Sequence, residues 1–97
     1  MKVFNETGKF DSIEGLKYGF NMGGEYDISY NGYEYHLYCY PKGKKESFAV
    51  QIPKEDYLEY TYNSFDEMLD GYMAQDGKTL REFILLADVD SSVMSEW

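Results

Sequence analysis

The chain has 97 residues, a formal net charge of −9 and an aromatic content of 19%. This length allows one domain with a modest hydrophobic core, and the aromatic content argues against an intrinsically disordered chain. The net negative charge argues against direct binding to nucleic acid or to an anionic membrane.

The negative charge is concentrated in the C-terminal part of the chain. Residues 1–54 carry 7 acidic side chains and 7 lysines, whereas residues 55–97 carry 11 acidic side chains against Lys78 and Arg81. A neutral half joined to an acidic half repels nucleic acid and attracts basic proteins. This asymmetry is the main indication of function in the sequence.

The first predicted element is a helix over residues 12–21. Asp11 is a candidate N-cap, and Glu14, three residues later, would complete a capping box. Apolar residues then recur at the spacing of one helix face, which favours a helix that packs on a core.

The Asn31-Gly32 pair predicts a two-residue type I′ turn between two strands that alternate apolar and polar residues. In the register of that turn the large apolar side chains lie on one side of the hairpin. The predicted pairs are Tyr30 with Tyr33, Ile28 with Tyr35, and Tyr26 with Leu37. The opposite side is predicted to carry Glu25, Asp27, Ser29, Glu34, His36, Tyr38 and Tyr40.

A third strand is predicted after a turn at residues 42–45. Pairing of Leu37 with Val50 extends the apolar side across this strand, and Pro53 ends it because proline has no N–H for the ladder. The three strands span about residues 25–30, 33–40 and 47–52, with a weaker fourth candidate at residues 57–62.

Two capping boxes mark helices in the C-terminal part. Ser64 with Glu67 begins a helix predicted over residues 65–75, and Thr79 with Glu82 begins another over residues 80–88. The predicted fold is therefore α+β. It has an N-terminal helix, a three- to four-stranded antiparallel meander, and two C-terminal helices packed on one sheet face. We expect one domain over residues 1–97 with a loose tail from about residue 90.

Catalytic and metal-binding motifs are weak. Cys39 and His36 are three residues apart on a predicted strand, so they point to opposite sides and do not form a dyad. We expect Cys39 in the core and His36 on the surface. A single histidine and a single cysteine disfavour the usual zinc sets, and no cofactor is predicted. A helix-turn-helix over residues 65–88 would present carboxylates to DNA phosphates, which disfavours it.

Two surfaces are candidates for partner binding. The first is the acidic C-terminal half, which either mimics nucleic-acid phosphates or only keeps the chain soluble. The second is the polar sheet side with its tyrosines, unless the N-terminal segment of Val3, Phe4 and Phe10 covers it. The candidate binding residues are Glu55, Asp56, Glu59, Asp66, Glu67, Asp70, Asp76, Glu82, Tyr38 and Tyr40.

Several capping and turn segments, spread over about residues 11–88, resemble those of a known group. They lie at residues 12–14, 24–25, 30–32, 64–69 and 76–82. The chain resembles short acidic proteins of Gram-positive bacteria and their mobile genetic elements, some of which are anti-CRISPR proteins that inhibit type II Cas9 effectors. The resemblance implies binding to a basic Cas9 surface, which would block guide RNA loading or target DNA binding, and it implies no catalytic residues.

We therefore expect a non-enzymatic inhibitor of a basic nucleic-acid-handling protein, with a Cas9-type effector as the leading partner. The alternative is a structural or regulatory module that self-associates through the open sheet side or an edge strand, including as a homodimer. An enzyme is the least favoured class. The N-terminal residues contain no apolar run of signal-peptide length, so we expect a cytoplasmic protein of a bacterial host.

Overall fold

A five-stranded antiparallel sheet, with three helices on one of its faces, forms the body of the protein. The computed structural model describes residues 2–41 and 47–94. The helices are α1 (Ile13–Asn21), α2 (Phe65–Gly71) and α3 (Leu80–Leu86). The strands are β1 (Gly24–Tyr30), β2 (Tyr33–Tyr40), β3 (Ser47–Ile52), β4 (Leu58–Tyr62) and β5 (Asp88–Met94). A short 3-10 turn (Pro53–Glu55) precedes β4, and the sheet order is β4-β3-β2-β1-β5. The α+β prediction is confirmed.

The β1–β2 hairpin has the predicted turn and register. Asn31 and Gly32 both have positive φ, 54° and 82°, as a type I′ turn requires. The three predicted pairs are present in the β1–β2 ladder, and Leu37 pairs with Val50 between β2 and β3. The predicted turn at 42–45 lies outside the described residues. The weak candidate at 57–62 is the strand β4.

The largest difference from the sequence prediction is β5. Residues 88–94 were expected to end a helix and begin a loose tail, but they pair antiparallel with β1 at the sheet edge. A register shift opposite Asp27 and Ile28 leaves Asp90 as an extra residue in β5. The segment is rich in Asp and Ser, so its strand propensity is low. Pairing with the available edge of β1 decides its structure. Residues 95–97, including Trp97, lie outside the described residues.

The helix boundaries also need correction. Ser12, not Asp11, caps α1, because the Ser12 hydroxyl accepts the Gly15 N–H at 2.9 Å, so Glu14 is not part of a capping box. Helix α2 ends at Gly71 rather than at residue 75. Tyr72 turns extended and places its ring in the core, against Tyr35. The Thr79 capping box of α3 is present, and α3 ends at Leu86 because the chain then enters β5.

The core lies between the sheet and the helices, and Tyr26 is near its centre. The Tyr26 ring contacts Phe4, Phe10 and Phe20 at centroid distances of 5.9, 5.1 and 5.9 Å. Cys39 is buried in the same core, as expected. Since Phe4 and Phe10 pack on this side, the N-terminal segment does not cover the tyrosines of the opposite face, and that alternative is wrong.

Two glycines make room for the Tyr26 hydroxyl. A Cβ atom added at Gly19 in α1, or at Gly24 in β1, would overlap the Tyr26 Oη. The close approach of α1 to β1 therefore depends on side chains that are absent at these two positions.

We predict that Gly19→Ala destabilises the protein by about 1 kcal/mol, because overpacking of about 2 kcal/mol exceeds the helix-propensity gain of about 1 kcal/mol. The measurement is urea unfolding of the single variants and of the double variant with Tyr26→Phe. Removing the Tyr26 Oη should reduce the cost of the alanine. An equal cost in both backgrounds would contradict this steric explanation.

Candidate partner-binding face

One face of the sheet lies opposite the three helices that the structure describes, and we call it the open face. Strand alternation places on this face the side chains that do not enter the core. From the described strands these are Glu25, Asp27, Ser29, Glu34, His36, Tyr38, Tyr40, Ser47, Ala49, Gln51, Glu59, Thr61, Asp88, Ser91 and Val93. The face therefore combines carboxylates with aromatic rings.

His36 lies at the middle of this face between two carboxylates. Its Nδ1 is 2.7 Å from Asp27 Oδ1, and its Nε2 is 3.3 Å from Glu25 Oε1. Ser91 of β5 donates its hydroxyl to the other Asp27 oxygen. These contacts cross β2, β1 and β5, so they hold the polar groups of three strands in one arrangement.

Asp27 is partly desolvated, which raises its pKa. The hydrogen bonds from Ser91 and His36, with the charge of His36, outweigh that effect and hold the pKa of Asp27 below its usual value. Asp27 therefore stays ionised on this face at neutral pH.

Tyr38 is fixed on the same face by a hydrogen bond to Glu59, which also accepts the Gln51 side-chain amide at 2.8 Å. Partial burial, with the hydrogen bond to Glu59 and the charge of Glu59, raises the pKa of Tyr38 to about 12. The phenol is therefore neutral at physiological pH, and Glu59 is held over the sheet rather than away from it.

A groove of about 490 Å³ begins beside His36. Its walls include the carboxylates of Asp27, Glu34 and Asp90, and the ring of Tyr57. Lys54 reaches this end of the face and lies 4.0 Å from Glu34. The groove is thus acidic, and its rim has an aromatic side chain that is 64% exposed.

The predicted acidic residues lie on several elements, and some of them are paired with cations. Asp66 and Asp70 of α2 both bind Arg81 of α3, with Asp70 Oδ1 and Oδ2 at 2.8 and 3.0 Å and Asp66 Oδ1 at 3.3 Å. Hydrogen bonds from Arg81 lower the pKa of Asp70, and that contact raises the pKa of Arg81. One guanidinium therefore offsets part of the charge of this pair.

The other predicted carboxylates have separate positions. Lys78 binds Asp76 at 3.2 Å, Glu82 belongs to the α3 capping box, and Glu55 accepts the side-chain amide of Gln75. Asp56 and Glu67 are exposed. Among the predicted binding residues, the open face brings together Glu59, Tyr38 and Tyr40.

Sequence analysis missed part of this face. Tyr57 lines the groove, and Ser91 and Val93 extend the face through β5. Asp90 was predicted only as part of the acidic half, not beside His36. Alternation was not a usable signal in this segment, because the bulge at Asp90 places Val89 on the core side and Val93 on the open face.

Two arrangements among the described residues would indicate chemistry, a nucleophile–base pair and a cluster of metal ligands. Cys39 is buried in the core while His36 is on the open face, so the two side chains do not form a nucleophile–base pair. Within residues 2–41 and 47–94, no three His, Cys, Asp or Glu side chains are arranged to hold a metal ion. None of the helices in that part of the chain is long and apolar enough to cross a bilayer.

Comparisons with protein families, with curated proteins and with solved structures find no match for this chain. The candidate site is accordingly interpreted from its own geometry. The resemblance to anti-CRISPR proteins stays a sequence-based prediction.

We predict that Asp27→Asn lowers stability at neutral pH by less than about 1 kcal/mol, since the side chain is half exposed and solvent screens it. The folded pKa lies below the unfolded value of 3.8, so the contribution is present above that value. It is lost as the pH falls through the folded pKa.

Urea unfolding at neutral pH and well below pH 3.8 measures this difference. Asp90→Asn, which removes an exposed carboxylate from the same groove, is the control for loss of a charge. A stability gap for Asp27→Asn that is the same at both pH values would contradict the linkage.

Proposed function

We propose that this protein is a non-enzymatic inhibitor that binds a basic surface of a nucleic-acid-handling protein. A Cas9-type effector is the leading candidate, and the binding would block its guide RNA or target DNA. The observation that carries the proposal is the open face, a sheet surface without a helix over it, on which exposed aromatic side chains lie among carboxylates.

Charge supports a basic partner. Among the described residues, six carboxylates lie on the open face or in its groove, those of Glu25, Asp27, Glu34, Glu59, Asp88 and Asp90. In the part of the chain that the structure describes, the basic groups at this face are Lys54, beside Glu34, Lys9, beside Asp88, and His36. A net charge of −9 adds long-range attraction toward a positively charged groove, which steers association.

Exposed apolar groups supply the short-range part of binding. Tyr40 and Val93 on this face are 66% and 57% exposed, and Tyr57 stands at the groove. Aromatic side chains surrounded by polar groups are typical of the residues that carry most of an interface's binding energy. This pattern supports contact with a folded protein surface.

The same geometry argues against a catalytic role. The ring nitrogens of His36 face Asp27 and Glu25, so the histidine is engaged within the protein. The buried thiol of Cys39 is not accessible from this face. Binding is therefore the activity that the described residues support best.

The ion pairs on the helices support a contact on another surface. Arg81 engages Asp66 and Asp70, whereas the carboxylates of the open face are distributed around exposed rings. We therefore place the contact on the open face rather than on α2.

We predict that Tyr40→Ala weakens binding to a purified Cas9-type effector by about thirtyfold, as loss of an aromatic anchor does. Tyr18→Ala, which truncates an exposed tyrosine on α1, is the matched control and should bind normally. Titration calorimetry with the effector, with and without guide RNA, measures the affinity and tests competition.

Charge reversal distinguishes a contact at the groove of the open face from a contact at α2. Asp90→Lys and Glu67→Lys change the net charge by the same amount, but only Asp90 lines the groove. We predict that Asp90→Lys weakens binding more than Glu67→Lys, and that added salt weakens binding of the unmodified protein.

Arg81→Gln is a control for a contact at the helices. It removes the cation that binds Asp66 and Asp70, so it increases the negative charge of α2. Tighter binding by this variant would assign the contact to the helices and contradict the open-face assignment. Absence of binding to the effector, at low and at high salt, would contradict the proposed partner.

A further inference from the structure

The two edges of the sheet differ in their protection against pairing with another strand. Strand β5 has a bulge at Asp90, and the Val89 N–H on its outer side is bound by the carbonyl of Gly8 at 2.9 Å. It also carries the exposed carboxylates of Asp88 and Asp90. Bulges, charges and covering loops are the usual means of blocking an edge strand.

In the part of the chain that the structure describes, strand β4 has neither a bulge nor a backbone hydrogen bond to a covering loop. Its sequence, Leu-Glu-Tyr-Thr-Tyr, has no proline or lysine, and its ladder with β3 is continuous. Its one charge, on Glu59, is held over the sheet by Tyr38 and Gln51. Leu58 and Tyr60 are 44% and 43% exposed. Strand β4 is therefore an edge with apolar content that is free to pair.

We propose that β4 pairs antiparallel with β4 of a second copy of this chain, so that two sheets form one ten-stranded sheet. The proposal is independent of the partner argued above. It concerns the edge of the sheet rather than its open face.

The sequence of β4 is complementary to itself in this arrangement. With Tyr60 on a two-fold axis, all five strand residues pair, and Leu58 meets Tyr62 of the second copy on the helical side. On the open side, Glu59 meets Thr61 of the second copy. No carboxylate faces a carboxylate, whereas an axis at Glu59 would place two glutamates directly opposite.

The charges at the ends of the strand oppose this pairing at low ionic strength. Antiparallel pairing brings the first end of one β4 beside the last end of the other. Lys54, Glu55 and Asp56 precede the strand and Asp66 follows it, so both ends carry net negative charge. Added salt should therefore favour the dimer.

The geometry of the dimer has a functional consequence. A two-fold axis perpendicular to the sheet preserves the faces, so both open faces lie on the same side. The assembly would present two copies of the anionic, aromatic face to one partner or to two, with a gain from bivalent binding.

Light scattering coupled to size exclusion tests the proposal across a concentration series, with enough salt to screen the repulsion between two chains of charge −9. We expect a species of twice the chain mass. Thr61→Glu should raise the dimer dissociation constant about tenfold, because each of two symmetric positions then opposes Glu59 at a cost of about threefold.

Thr61→Lys is the matched control, since it places a cation opposite Glu59 and should keep or tighten the dimer. A single cysteine tests the axis directly. Tyr60→Cys should form an intermolecular disulfide under mild oxidation, because residues on the axis have Cα atoms about 5 Å apart. Tyr57→Cys, away from the axis, should not. The native thiol is buried and does not interfere.

A monomer at every concentration would overturn the proposal. So would a dimer that is unaffected by Thr61→Glu and not cross-linked through Tyr60→Cys, because its contact would lie elsewhere. Circular dichroism checks that each variant is folded. If Thr61→Glu does not fold, the cross-linking result decides the question alone.

Discussion

Burial of one face of the β1–β2 hairpin is the constraint on which the other elements depend. The rings and aliphatic side chains on that face cannot be left in water, and a sheet of this size cannot bury them without a covering layer. Helices α1, α2 and α3 provide that layer, and Tyr26 joins it to the sheet through contacts with Phe10 and Phe20. Because α1 approaches the sheet so closely, a side chain larger than that of glycine at residue 19 would overlap Tyr26.

The same constraint determines the open face. Strand alternation sends every second side chain away from the helices, so the residues that do not enter the core collect on one surface. Their hydrogen bonds run across strands, from Ser91 through Asp27 to His36, and from Tyr38 to Glu59. The charged groups are thus held in fixed orientations, which would reduce the side-chain entropy lost if this face binds a partner.

Local signals in the sequence were sufficient for much of the fold. The Asn31-Gly32 turn and the alternation beside it determine both the pairing and the buried side of β1 and β2. The sequence could not predict β5, because a polar segment becomes a strand only when an unpaired edge is near it. The sequence also did not predict where α2 ends, because Tyr72 leaves the helix and packs on Tyr35.

Less of the candidate site than of the fold could be predicted from the sequence. Counting charges along the chain identified an acidic half, but the structure distributes those carboxylates over two sides of the sheet. Arg81 lies eleven residues beyond Asp70 and gave no sign that it would bind both Asp66 and Asp70. Conversely, Asp90 joins the groove of His36 only through the β5 pairing.

The buried thiol of Cys39 can report how often the fold opens locally. The thiol is buried on β2, the central strand, where it donates to the Phe20 carbonyl at 3.6 Å. An alkylating reagent can reach it only when β2 separates from the helical layer. The labelling rate therefore follows the frequency of that opening, without a dye or an engineered residue.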